Sequence, residues 1–140
     1  MKHLVCCVIF LAMFVYAAYA EGTACSCSGT KTVKDSFQSA DLVFMAKIQG
    51  FSFSLTSTSK IQIVVEKSWK GGVSPGKILS VQLINPGTAC IQEKMEWANY
   101  QYWVVYVRAT DGNLETAVCD GTKPAHYAEQ EMKILNSLVF

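Results

Sequence analysis

Two cysteines only two positions apart, Cys25 and Cys27, stand just past an apolar leader, and only two more, Cys90 and Cys119, follow them in the 140-residue chain. No other feature constrains the fold as much. If these four are oxidised, the beginning of the mature chain is pinned at two points to regions far along the sequence. The stretch Ala24-Cys25-Ser26-Cys27-Ser28 then becomes a short, rigid segment held against the body of the domain.

Oxidation follows from the leader. Lys2 and His3 make a basic start, Leu4 to Ala20 is apolar or aromatic throughout, and Ala18-Tyr19-Ala20 is an Ala-x-Ala cleavage pattern. This predicts a secretory signal peptide over residues 1–20 and a secreted, extracellular domain over 21–140. A membrane anchor is the competing reading, but the run is at the short limit for a span and no basic cluster follows it. Cys6 and Cys7 leave with the leader. The four remaining cysteines read as two disulfides. A four-cysteine zinc site fits less well, because structural zinc ligands usually come as two Cys-x2-4-Cys pairs and this chain has one Cys-x-Cys and two single cysteines. Of the three possible pairings, Cys25 with Cys27 closes a very tight loop and is disfavoured. The other two both tie the N-terminus to the regions of Cys90 and Cys119, and spacing does not choose between them.

The start of the mature chain has two candidates. Cleavage after Ala20 is the stronger signal and makes Glu21 the first residue. Cleavage after Ala24, with Gly22 at the −3 position, is the weaker alternative and makes Cys25 the first.

A net charge of +1 gives no reason to expect nucleic acid or an anionic membrane surface as partner. There is no Asn-x-Ser/Thr sequon and no later apolar run long enough to span a bilayer. The inventory argues against an enzyme. Beyond the leader there is one histidine, His126, in a polar run, and no His-Glu-x-x-His is present. Oxidised cysteines are poor nucleophiles.

Pattern predicts mainly strands. Val33 and Phe37, four apart, predict one or two helical turns with an apolar edge on the core. Leu42 to Ile48, Ile61 to Val65 (running on toward Trp69), Lys77 to Leu83, Tyr100 to Val107 and Leu114 to Cys119 read as five strands, the fourth central. Gln49 to Lys60 reads as a hairpin arm with an exposed tip, whose Phe51 and Phe53 either pack the arm on the sheet, the arrangement expected, or face outward for a partner. Asn85-Pro86-Gly87 and Thr110-Asp111-Gly112-Asn113 are turns. Ala128, Met132, Leu135 and Val139 recur at helical spacing, and Glu129 precedes Lys133 by four, which predicts a C-terminal helix with an ion pair on its surface. The fold class expected is therefore mainly β with flanking helices. It is a five-stranded Greek-key barrel like the oligonucleotide/oligosaccharide-binding (OB) fold, with a short N-terminal helix and a C-terminal helix.

An ordered set of short motifs carries a resemblance. Cys25-Ser26-Cys27-Ser28 comes first, then Phe37-Gln38-Ser39-Ala40-Asp41-Leu42-Val43-Phe44-Met45-Ala46-Lys47 and Lys67-Ser68-Trp69-Lys70-Gly71. Ala89-Cys90, Tyr102-Trp103-Val104 and Val118-Cys119-Asp120 follow in order. From Cys25 to Phe140 the chain resembles the inhibitory N-terminal domain of the tissue inhibitors of metalloproteinases, within the netrin-like domain group. Three departures accompany the resemblance. Gln38 stands where the family has a cysteine of a third disulfide, Gly29 stands where proline is usual, and the family's cysteine-rich second domain has no counterpart in these residues.

The resemblance implies pairing of Cys25 with Cys90 and of Cys27 with Cys119. It implies an inhibitory wedge made of Cys25, Ser26, Cys27, Ser28 and Gly29 beside Gly87, Thr88, Ala89 and Cys90, with Ser26 directed into the S1′ pocket of a target enzyme. The hairpin tip around Leu55 to Ser59 is expected to add contacts. The implied function is inhibition of zinc metalloproteinases by occupation of the active-site cleft. The protein would need no cofactor of its own. The zinc is the target's, chelated by Cys25 only if Cys25 is the mature N-terminus. The expected partner is a matrix-metalloproteinase-like enzyme or, since single-domain members are secreted by parasitic worms, another extracellular host protein. Neither nucleic acid nor membrane is expected as a partner, and a monomer is expected. The alternative is a netrin-like binding or immunomodulatory module without inhibitory activity.

Overall fold

The computed structural model describes residues 31–52, 59–84 and 99–139. The first element is helix α1, Val33–Ser39, and its start is written in the sequence. The Thr32 hydroxyl accepts from the Asp35 N–H at 3.1 Å while the Asp35 carboxylate accepts from the Thr32 N–H at 3.4 Å. This reciprocal box satisfies two of the amide donors that a helix start leaves open.

Strand β1, Leu42–Ser52, pairs antiparallel with β2, Ser59–Lys70, on one side. On its other side it pairs antiparallel with β4, Tyr102–Thr110. β2 pairs with β3, Ile78–Leu83, which lies parallel to β5, Asn113–Thr116, and β5 turns back onto β4. The ring β1-β2-β3-β5-β4-β1 is closed. This is the expected five-stranded OB-like barrel with one helix before it and one behind it. Register shifts between Val43 and Phe44, Met45 and Ala46, and Ile48 and Gly50 bend the long β1–β2 ladder far enough to close the ring. A two-residue strand β6, Lys123–Pro124, adds to the first half of β4. Helix α2, Glu129–Leu138, ends the described chain.

The alternation of β2 shows how the barrel fills. Ile61, Ile63 and Val65 point inward and are buried, while Lys60 and Gln62 face out. They meet Phe44, Ala46, Val81, Leu83, Trp103, Val105 and Val107 inside the barrel. A second cluster lies between the barrel and the helices, with Val43, Trp69, Val104 and Tyr106 beneath Phe37 of α1 and Met132 and Leu135 of α2. β4 is thus buried on both faces, which accounts for its unbroken run of aromatic and β-branched residues.

Four expectations need correction. The fifth strand stops at Thr116, and Val118–Asp120 forms a 3-10 turn instead. Phe51 is 41% exposed rather than packed on the sheet, because it stands past the last register shift at the far end of the β1–β2 ladder. Val139 lies beyond the end of α2 in extended conformation and is exposed, and Leu138 packs on the core in its place. The surface ion pair of α2 is made by Glu131 with Lys123 of β6, not by Glu129 with Lys133.

The stretch Lys67-Ser68-Trp69-Lys70-Gly71 welds these layers together. The Lys67 ammonium and the Trp69 indole N–H both donate to Asn136 Oδ1 of α2, at 2.7 and 2.8 Å. Lys70 donates to the carbonyls of Phe37 and Gln38 at the C-terminal end of α1, at 2.8 and 3.3 Å, where a cation also meets the negative end of the helix dipole. Gly71 has φ +93°, and a Cβ there would lie 2.1 Å from Leu42 Cδ2. Only glycine lets β2 end against the start of β1.

Candidate functional site

The site is built around the turn that carries Cys119. β4 and β5 are joined by a two-residue hairpin turn with positive φ at Asp111 (50°) and Gly112 (80°), the geometry that matches strand twist. After β5 the chain turns away at Ala117 and returns at Thr122. Two buried hydroxyls close this loop. Thr116 Oγ1 donates to the Tyr106 carbonyl at 2.7 Å, Thr122 Oγ1 accepts from the Tyr106 N–H at 2.9 Å, and the two hydroxyls lie 2.6 Å apart. Both threonines are essentially inaccessible, so loss of the Thr122 hydroxyl leaves the buried Tyr106 N–H unpaired. The Asp120 N–H donates to the Ala117 carbonyl at 3.0 Å inside the turn.

The turn packs directly on α1. Gly121 has φ +103°, and a Cβ there would lie 3.1 Å from Ser36 Oγ and 3.2 Å from Tyr106 Cε2. Beside it Asp120 accepts from Arg108 Nη2 at 3.2 Å and faces Lys31 Nζ at 3.9 Å. These three charged residues, with Ser36, Ser39, Ala40 and Tyr106, line a narrow cleft of ≈ 40 Å³. The Tyr106 hydroxyl is buried without a hydrogen-bond partner. Burial first, and the Glu131 carboxylate second, push its phenol well above the ordinary tyrosine value.

Cys119 is disulfide-bonded. The chain's other five cysteines all lie outside the described residues, and so do Cys25, Ser26, Cys27, Ser28, Gly29, Gly87, Thr88, Ala89 and Cys90 of the expected wedge. The described residues nearest the two wedge segments are Lys31, which meets the Cys119 turn, and Ile84, which meets the end of β5 just before that turn. Lys31 faces Asp120, and the Ile84 N–H donates to the Thr116 carbonyl at 2.9 Å as the parallel β3–β5 pairing ends. Of the expected hairpin tip, 55–58 lie outside the described residues. Ser59 is not at a tip at all, since it is buried at the start of β2 opposite Leu83.

Thr116, Thr122, Arg108 and Lys31 were not singled out by sequence pattern. Threonine in a strand is ordinary, and what distinguishes these two is a shared partner sixteen or fewer positions away, which no short motif displays. His126 is exposed and stacks edge-on to Tyr127 at 5.1 Å. Among the described residues no three of His, Cys, Asp and Glu are placed to hold a metal ion, and no helix is long and apolar enough to cross a membrane.

No known protein-family model matches the chain, and comparison with curated proteins finds no match.

Proposed function

We propose that the protein is a secreted inhibitor of zinc metalloproteinases of the netrin-like, tissue-inhibitor type, acting through its N-terminal Cys-x-Cys segment. The observation that supports this reading is that Lys31 contacts Asp120 of the Cys119 turn while Ile84 bonds Thr116, the end of β5 from which that turn starts. The two segments that the resemblance assigns to the wedge, 25–29 and 87–90, lie two residues before Lys31 and three after Ile84 in the sequence. Segments preorganised by disulfides lose little conformational entropy on binding.

The chemistry follows if Cys25 is the first residue. Its α-amine has an ordinary pKa of about 7.7–8.0 and sheds its proton readily beside a metal. The amine nitrogen and the Cys25 carbonyl oxygen form a five-membered chelate. Catalytic zinc in peptidases keeps one coordination position for water or substrate, and the chelate takes that place. Ser26 follows into the adjoining specificity pocket.

The test compares two forms of the mature protein, one beginning at Cys25 and one at Glu21, against the catalytic domain of a matrix metalloproteinase. The Cys25 form inhibits at one-to-one stoichiometry, and the Glu21 form does not, because an amide nitrogen is not an amine ligand and four residues block the cleft. Equal inhibition by both forms, or by neither, contradicts the mechanism. One observation favours a second reading, a netrin-like binding module without inhibition: the stronger cleavage signal, Ala18-Tyr19-Ala20, leaves Glu21 first.

A further inference from the structure

Asp120 occupies an unusual position for a surface acid. Its backbone is fixed, because Thr116 and Thr122 clasp the Tyr106 peptide on both sides of the turn and Gly121 sits against α1. Its side chain is only 14% exposed, and two cations from different parts of the chain converge on it. Arg108 comes from β4. Lys31 is the residue immediately before the capped start of α1 and immediately after the N-terminal segment. The neighbouring residue, Cys119, is a half-cystine.

We propose that Asp120 is a positioning residue for the N-terminal segment, with Lys31 as its electrostatic latch and Arg108 as the brace that orients the carboxylate. The latch holds Lys31 against the Cys119 turn and so fixes the direction from which the chain enters α1. Asp120 touches no target enzyme in this scheme and acts only through Lys31. Its functional consequence rests on the inhibitor reading. The latch itself does not.

An ion pair with one half-exposed partner is weak and screened by salt, so the effect is modest and ionic-strength dependent. The experiment uses the full mature protein beginning at Cys25 as wild type, Lys31→Gln, Asp120→Asn and the double variant. Two quantities are read at low salt and at about 0.5 M salt. They are backbone 15N order parameters of residues 25–31 and the inhibition constant against a metalloproteinase catalytic domain. Each single variant is expected to lower the order parameters and to weaken inhibition by about two- to fivefold at low salt. The double variant is expected to do no worse than either single, and the differences vanish at high salt. Unchanged order in both singles, or single effects that add fully in the double, overturns the latch. Lys31→Gln keeps the question decidable if Asp120→Asn does not fold. A wild type that inhibits no metalloproteinase overturns the inhibitor reading, and the order parameters still decide the latch.

Discussion

Tyr106 concentrates three roles in one residue. Its peptide group is the common partner of Thr116 and Thr122, its ring packs against Gly121, and its hydroxyl is buried without a partner. The first role predicts that Thr122→Val, which keeps shape but removes the hydroxyl, costs about 1–3 kcal/mol because the Tyr106 N–H is left unpaired. Urea denaturation measures it. The third role predicts the opposite for Tyr106→Phe, which removes an unsatisfied polar atom and is neutral or stabilising by up to about 1–2 kcal/mol. A pH dependence comes with it. The folded phenol holds its proton above the ordinary value of about 10, while the unfolded chain releases it there. Below that pH both states are protonated and the residue contributes no slope. Above it, wild-type stability falls by up to about 1.4 kcal/mol per pH unit, and Tyr106→Phe lacks that component. Parallel slopes for the two proteins contradict the assignment.

At the scale of elements, the helices are held to the barrel by few but specific bonds. Asn136 accepts from both Lys67 and Trp69, so Asn136→Ala removes both bonds from α2 to β2 and costs about 0.5–1.5 kcal/mol by thermal or chemical unfolding. Leu135 is fully buried beneath the same helix, and Leu135→Ala costs about 2–5 kcal/mol. The end of α1 is the place where the resemblance expects a cysteine and the chain has Gln38. Here the Lys70 ammonium bonds the carbonyls of Phe37 and Gln38 and ties α1 to β2 without a covalent link. These elements differ in how legible they were. The five strands and the C-terminal helix follow from period and composition, because one-sided burial imposes alternation on β2 and β3 and a stripe on α2. The 3-10 turn at Cys119 was read as strand because Leu114 to Cys119 has strand composition. The hydroxyl clasp that ends β5 is a tertiary bond, and local pattern does not record it. Val139 continued the stripe by spacing, but helical spacing says nothing about where the helix stops.

At the scale of the whole molecule, the described residues form a barrel with one face covered by two helices, and α1, β4 and β5 meet at the turn that carries Cys119. Cys119 was legible as a half-cystine from compartment and cysteine count alone. The contacts of Lys31 with Asp120 and of Ile84 with Thr116 were not, because the first depends on how α1 packs on the turn and the second on the parallel pairing of β3 with β5. The proposed inhibitory chemistry depends on one free amine. The most direct measurement is the N-terminal sequence of the protein as secreted by a eukaryotic cell. The account predicts Cys25 as the first residue, with its α-amine free. A protein that begins at Glu21 and is not trimmed further contradicts zinc chelation by Cys25 and leaves the non-inhibitory binding module.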